Sequence, residues 1–496
     1  MDLQTLRYNA RDAAITLAVN DAFDHEIDRG GYRHTYDFTT RLYEPLIYMM
    51  TRGIRVDHEA LSETRKEIEQ LIEQKQEELD EIVGHHLNFN SSKQLQQYFY
   101  VEKGIEPFTK TVKQGGQYKQ TITVDDKALQ RLAKGTQSRK PLKEARIIQE
   151  LRGYNKLKST YLDIQFDEDG RMRCFFKPRG TKFGRLSSAK TILGTGMNLQ
   201  NLPMAFKKFL VADPGYVLVE VDKEQAEWVV VAYMSGDAQM LRVLEEGIDP
   251  HVHTAHLMFG VPHEVVKEEN KLIGHETDPG EIERLRKNSH LWDELKHVPF
   301  LIRNMSMRQA GKKANHGLNY DEGPRTFALT NEIMEGEAKK IIELYHQAYP
   351  GIRHWHEQTQ SLLRHNRQLT NCFGRVYKFL GPWGDDLFKQ AYAFGPQSTV
   401  ADLVNWGIIH TYEDQSEAAR PIELLAQVHD SILFQVPMDC DVDAALSRVY
   451  THMNPTMEYN GREFQIASEA KAGLDWSNME EVGDGGLEET IAQLQG

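Results

Sequence analysis

The chain has 496 residues, 40% hydrophobic and 27% charged, with a formal net charge of −14 at pH 7. That length exceeds one ordinary core and predicts roughly three or more domains. No apolar run is long enough for a membrane helix, no secretory leader is expected, and three widely spaced cysteines (Cys174, Cys372, Cys440) argue against a disulfide framework and for a reducing compartment.

From the N-terminus, Tyr8-Asn9-Ala10-Arg11-Asp12 leads into apolar residues 13–19, which predict a short helix. Gly53-Ile54-Arg55-Val56 reads as a strand-like turn and Asp57 as the N-cap of a helix. Leu61, Ile68, Leu71, Ile72, Leu79 and Ile82 give that helix one apolar stripe, and Gly84 stops it. Its length and single stripe suggest an arm packed on one side. Asn90-Ser91-Ser92-Lys93 resembles the cap of another short helix.

Between Lys127 and Tyr161 stand ten basic residues (Lys127, Arg131, Lys134, Arg139, Lys140, Lys143, Arg146, Arg152, Lys156, Lys158) against Glu144 and Glu150. After Lys471 there are six acids and no Lys or Arg. Such segregation points to one face for a polyanion, so the negative total does not exclude a nucleic-acid partner. A solvated basic helix is the plainer alternative for this stretch alone.

Beyond Gly180, Gly- and Ser-rich loops give way to Val217-Leu218-Val219-Glu220-Val221, a buried-strand pattern with Asp222 where it should emerge. Residues 237–365 read as mainly helical, with a charged insertion near 266–298. Strand signals return at Arg375-Val376-Tyr377-Lys378-Phe379. They recur on both sides of His429-Asp430, which predicts a hairpin with that pair at its turn. The order implies a central sheet whose chain is interrupted by a helical insertion.

Two carboxylates at the ends of apolar runs, once brought together, would bind two magnesium ions bridging an attacking 3′-oxygen and a triphosphate. Arg308, Lys312, His316 and Tyr320 recur every fourth residue and so share one helical face. Its cations suit β- and γ-phosphates, His316 lies against the incoming base, and Gly317 favours close approach of another surface. Taken singly, a solvated strand-end Asp and a solvated amphipathic helix explain these segments as well. His251, His253 and His256 superficially have ligand spacing.

Read jointly, Asp222 with its strand, the string from Arg308 to Tyr320, and Gln427-Val428-His429-Asp430-Ser431 resemble motifs A, B and C of family A DNA polymerases, the DNA polymerase I family. Further strings extend the resemblance over nearly the whole chain. Asn155-Lys156-Leu157-Lys158-Ser159-Thr160-Tyr161 is similar to a thumb segment. Gly184-Arg185-Leu186-Ser187-Ser188 and Asn198-Leu199-Gln200-Asn201-Leu202-Pro203 are similar to a primer–template block. Asp249-Pro250-His251 resembles a fingers segment, while Phe373-Gly374-Arg375, Gln397-Ser398-Thr399-Val400-Ala401-Asp402 and Gly473-Leu474-Asp475-Trp476 resemble palm elements.

The resemblance implies an α+β right-hand fold: an exonuclease-like remnant over 1–30, thumb over 31–180, palm over 181–235 and 366–496, and fingers over 236–365. It implies template-directed addition of deoxynucleotides to a primer 3′ end by two-metal phosphoryl transfer. Asp222, Asp430 and the Lys223 carbonyl would hold two Mg²⁺ ions, with Mn²⁺ as a substitute. Asp222, Asp430 and Lys312 would be catalytic. Lys223, Glu227, His251, Arg308, Lys312, His316 and Tyr320 would meet the dNTP, with Glu227 blocking a ribose 2′-hydroxyl. Asn155, Lys156, Lys158, Ser159, Thr160, Arg185, Asn198, Gln200, Asn201, Arg375, Gln397 and His429 would contact DNA.

Three positions depart from the family pattern: His316 stands for Phe or Tyr, Asp321 for Gly, and Ser431 for the Glu after His-Asp. Tyr8-Asn9-Ala10-Arg11-Asp12 resembles the last motif of the 3′–5′ exonuclease, without its paired-carboxylate motif, so no proofreading is expected in this chain. Primer–template DNA and dNTPs are the expected partners, with a separate exonuclease chain or a processivity factor beside them and no membrane. A cytoplasmic site in a bacterial or virus-infected cell is the matching expectation. Rival readings are an RNA polymerase, which Glu227 disfavours, a non-catalytic DNA-binding subunit, and a nuclease, which the missing carboxylate pair disfavours.

Overall fold

A computed structural model describes residues 2–114, 117–135, 140–274, 276–298, 301–331 and 333–495. The first helix, α1 (Leu3–Arg29), is far longer than apolar residues 13–19 predicted, and none of its residues is buried. Its Asp2 cap accepts from Thr5 N, and the polar residues between the apolar ones extend the helix instead of ending it. In α2 (His58–Val83), Asp57 caps Ala60 N and Gly84 closes the helix at φ +85°. Leu61 and Ile68 of its stripe join the sheet core, and Leu79 joins a second cluster with Leu95, Phe99, Leu129 and Leu151.

That second cluster supports an exposed hairpin, β1 (Thr109–Gln114) and β2 (Gln117–Ile122), and the helices α3 (Asp126–Lys134) and α4 (Lys143–Lys156). The basic stretch is less free than its count suggested. Lys143 lies 2.8 Å from Glu78, Lys158 2.9 Å from Glu69, Arg146 3.3 Å from Glu150, and Arg152 3.6 Å from Asp126. Acids of α2 pack alongside and neutralise part of it, which a one-dimensional count could not register. Arg139 lies outside the described residues.

The central sheet is antiparallel. Its strands are β3 (Tyr216–Lys223), β4 (Glu423–Val428), β5 (Ser431–Pro437), β6 (Ser468–Gly473) and β7 (Glu480–Glu481), in the spatial order β4-β5-β3-β6-β7. Val217, Leu218, Val219 and Val221 of β3 are fully buried because α-helical layers and neighbouring strands cover both faces. Between β3 and β4 the chain makes a helical block with its own core, including Trp228, Phe327, Tyr345 and Trp355. Within this block are α5 (Ala226–Ser235), α6 (Pro250–Phe259) and α7 (Met307–Leu318). The chain returns through α8 (Asp385–Glu413), whose Val404, Ile408 and Ile409 pack on the sheet. This is the interrupted sheet that the element order implied. Among the described residues no helix is long and apolar enough to cross a membrane.

Candidate active site

Asp222 sits near the end of β3, directly across from Ser431 of β5 and Glu469 of β6. Asp430 precedes Ser431 in the two-residue turn joining β4 to β5, where Val428 pairs with Ser431. Antiparallel pairing thus brings two carboxylates 208 positions apart in sequence to one end of the sheet. His429 holds the turn in the left-handed region at φ +52°, a conformation that costs a non-glycine residue about 1–3 kcal/mol. Gln427 Nε2 donates to its carbonyl, and Gln427 Oε1 accepts from Gln200 Nε2 at 2.9 Å.

The electrostatics are those of an anionic site short of positive charge. Neighbouring protein, helped by the carboxylates of Asp430, Glu220 and Glu469, desolvates Asp222 and pushes its pKa up to about 6, although the residue is exposed to solvent at the sheet end. Burial also raises Asp430, against the pull of Arg185, whose Nη2 lies 3.7 Å from Asp430 Oδ1. Lys223 turns its side chain inward: Nζ donates to Asn454 Oδ1 at 2.6 Å and Ile466 O at 2.7 Å, and burial pulls its pKa down to about 7.

Glu227, on the first turn of α5, joins these carboxylates to the helical block. Its Oε2 accepts from the Tyr320 hydroxyl at 2.5 Å and its Oε1 pairs with Arg185. Burial, then the neighbouring Glu227 carboxylate, holds the Tyr320 phenol well above its ordinary pKa.

Arg308, Lys312 and His316 lie on α7, which Ser306 caps through Gln309 N. Tyr320 does not continue the helix as its spacing predicted. The helix ends at Leu318, Tyr320 N bonds Gly317 O at 3.2 Å, and Asp321 turns at φ +61°. The surface approaching Gly317 belongs to the same chain: a Cβ there would meet Glu322 Oε2 at 2.0 Å. At Gly311 a Cβ would meet His251 O at 2.3 Å, so this glycine lets α6 and α7 touch.

That contact places Asp249 and His251 against the cationic helix. Asp249 Oδ2 accepts from Arg308 Nε at 2.8 Å and lies 2.7 Å from its Nη2, while Asp249 Oδ1 caps His251 N at 2.7 Å. His251 is buried with Nδ1 3.0 Å from Asn315 Nδ2, its ring centroid lies 6.2 Å from that of His316, and burial pulls its pKa down to about 4. The anchoring roles of Asp249, Gln427 and Asn315 were not read from the sequence. A polar residue inside an otherwise apolar helical or strand face was the available signal at Asn315 and Gln427.

Other expected contacts stand apart from this cluster. Asn155, Lys156, Lys158, Ser159 and Thr160 lie at the end of α4 and the turn after it, where Ser159 Oγ bonds Asn155 O at 2.7 Å. Arg375 is clamped bidentately by buried Asp402, at 2.7 Å to each oxygen. Asn198 Oδ1 accepts from Ser188 Oγ at 2.6 Å and Gln200 N at 2.9 Å, Asn201 is exposed, and Gln397 is half-buried on α8. His253 Nδ1 lies 3.0 Å from His263 Nε2, and His256 Nδ1 bonds Val261 O at 2.7 Å. Among the described residues no group of three or more His, Cys, Asp or Glu is placed to hold a metal ion.

A family model for DNA polymerase family A matches residues 58–274 and 289–478. The chain belongs to DNA polymerase family A. It is 28% identical over 454 residues to a thermostable DNA polymerase I of Thermus thermophilus, covering 88% of this chain and 47% of that protein. To a DNA polymerase I of Rhizobium leguminosarum it is 27% identical over 491 residues, covering 95% of this chain and 43% of the relative. The chain therefore spans about half the length of these family members. Among solved structures, the POL domain of Pol1 from M. smegmatis, in complex with a DNA primer–template and dNTP, matches with a TM-score of 0.72 at 23% identity. It covers 93% of this chain and 74% of that one. That likeness shows the fold: the α+β right-hand architecture of family A.

Proposed function

We propose that this chain is a template-directed DNA polymerase that extends a primer 3′ end with deoxynucleotides and carries no proofreading activity of its own. The observation supporting it is the convergence of Asp222 and Asp430 at one sheet end, linked through Arg185, Glu227 and Tyr320 to the helix that bears Arg308, Lys312 and His316.

Asp222 and Asp430 fit magnesium chemically, since both offer hard oxygen donors and both resist ionisation without a compensating cation. Bound there with the Lys223 carbonyl, two Mg²⁺ ions would offset charge on the attacking and leaving oxygens. The primer 3′-oxygen bonds to the α-phosphorus as the bond to the β-phosphate oxygen breaks, and pyrophosphate leaves. The 3′-hydroxyl proton passes to solvent. Lys312, exposed on α7, gives a proton to the departing pyrophosphate, and Arg308, oriented by Asp249, neutralises the triphosphate. The Glu227 carboxylate occupies the space a ribose 2′-hydroxyl needs.

Primer extension with magnesium and either dNTPs or rNTPs tests this, with Asp430→Ala as control. Extension with dNTPs alone, abolished in the control, is the expected result. Salt-sensitive primer–template binding without extension would instead favour a DNA-binding subunit.

A further inference from the structure

Tyr320 is flanked by two residues that one helical hairpin grips. The hairpin comprises the helices Glu335–Ala348 and Pro350–Asn366. Before Tyr320, the buried Tyr345 hydroxyl donates to Asn319 Oδ1 at 2.8 Å, and buried His356 donates through Nε2 to Asn319 O at 2.8 Å. After it, Arg353 Nη1 donates to Asp321 Oδ1 at 2.6 Å. Between these anchors Tyr320 N and Asp321 N bond back to Gly317 O and Leu318 O at 3.2 and 3.3 Å. Asp321 holds φ +61°, a left-handed conformation that glycine adopts without strain and aspartate tolerates.

The same hairpin also fixes the other end of the Tyr320–Glu227 hydrogen bond. Gly351 N donates to Asp237 Oδ2 at 2.8 Å, and Asp237 lies just beyond the end of α5, the helix whose first turn carries Glu227. A Cβ on Gly351 would meet Asp237 Cβ at 2.8 Å, so only glycine permits this approach. Trp228, next to Glu227, sets its ring edge-on to that of Tyr349, with centroids 6.4 Å apart. Phenol and carboxylate are therefore both referenced to one hairpin. Of the three side chains that grip the turn, Tyr345 and His356 are buried, whereas Arg353 has 47% of its side chain exposed. An exposed ion pair adds little to stability, so maintenance of the fold does not account for Arg353.

We propose that Arg353 is a positioning residue for sugar selection: through Asp321 it braces the turn that carries Tyr320, and Tyr320 holds the Glu227 carboxylate against the sugar. Without the ion pair the turn swings from the hairpin, the phenol follows, and Glu227 yields space to a ribose 2′-hydroxyl. Arg353 meets Asp321 through one nitrogen, so a lysine serves in its place. The sugar selection rests on the polymerase reading, whereas the brace rests on the geometry of the turn.

The test compares the full chain with Arg353→Leu, Arg353→Lys, Asp321→Gly, Glu227→Ala and the Glu227→Ala/Arg353→Leu double variant. Single-nucleotide primer extension gives kcat and KM for a dNTP and its rNTP, and amide hydrogen exchange follows residues 317–322. Arg353→Leu should raise the ribo- to deoxynucleotide ratio of kcat/KM by about 2- to 5-fold, the range an exposed ion pair transmits, and speed exchange similarly. Asp321→Gly, which removes the pair but keeps the left-handed turn, should do the same. Arg353→Lys should match the parent within about twofold in every readout. Exchange outside the turn should be the same in all variants, which certifies folding. With Glu227 already replaced by alanine, the leucine should change the ratio by less than about twofold, because the carboxylate it acts through is gone. An unchanged ratio in an Arg353→Leu variant that extends with dNTPs at the parental rate overturns the proposal, and so does an equal increase with and without Glu227. A parent chain that extends no primer overturns the polymerase reading and the sugar selection with it. Faster exchange in Arg353→Leu then still upholds the brace, and unchanged exchange overturns it.

Discussion

Glu227 shows how much one side chain decides here. Its carboxylate takes the Tyr320 hydroxyl on one oxygen and the Arg185 guanidinium on the other, so it is fixed in place before any nucleotide arrives. Glu227→Ala should raise incorporation of ribonucleotides relative to deoxynucleotides by about 10- to 100-fold, read as a ratio of kcat/KM values, if the carboxylate is the steric block proposed above. At Asp222 the consequence is a pH-dependent stability. Its pKa rises from 3.8 to about 6 in the fold, so the fold favours the protonated form. That contribution is complete below about pH 4 and is lost as the pH climbs through about 6. In chelator, Asp222→Asn should melt level with the parent at about pH 4 and above it at about pH 8. A difference of opposite sign would show that neighbouring cations, and not burial, set the carboxylate.

Helices α6 and α7 work as one element. Gly311 removes the side chain that would separate them, Asn315 reaches His251, and Asp249 reaches back to Arg308. The start of α7 is pinned from a third side, because buried Glu269 accepts from Met307 N at 2.9 Å while pairing with buried Arg286. Arg286 in turn donates to the carbonyls of Ile302 and Met305, so this ion pair has few unmet hydrogen bonds. Gly311→Ala should cost about 1–3 kcal/mol in denaturant unfolding, since its Cβ meets backbone rather than a yielding side-chain tip. It should also raise KM for dNTP more than it lowers kcat, because it displaces residues proposed to bind the triphosphate. An unaffected KM with the same stability loss would separate packing from nucleotide binding.

At the scale of the whole molecule, α1 contributes length without a core. Removing residues 2–23 should leave the melting temperature within about 2 °C, because no residue of that helix is buried; calorimetry checks it. The buried strand ending at Asp222, the hairpin turn at His429–Asp430, the caps Asp57 and Gly84, and the family itself were legible in the sequence. Each depends on local pattern: apolar runs, turn residues, and strings of neighbouring side chains. The end of α7 before Tyr320, the capture of Arg308 by Asp249, the clamp on Arg375 and the neutralisation of Lys143 and Lys158 were not. Each of these involves a turn or a partner that becomes a neighbour only when the chain folds back. The sequence by itself determined which residues carry charge and where strands and helices begin. Only tertiary structure decided which of those charges face one another, because a carboxylate and a cation interact through a few ångströms of space regardless of their separation along the chain.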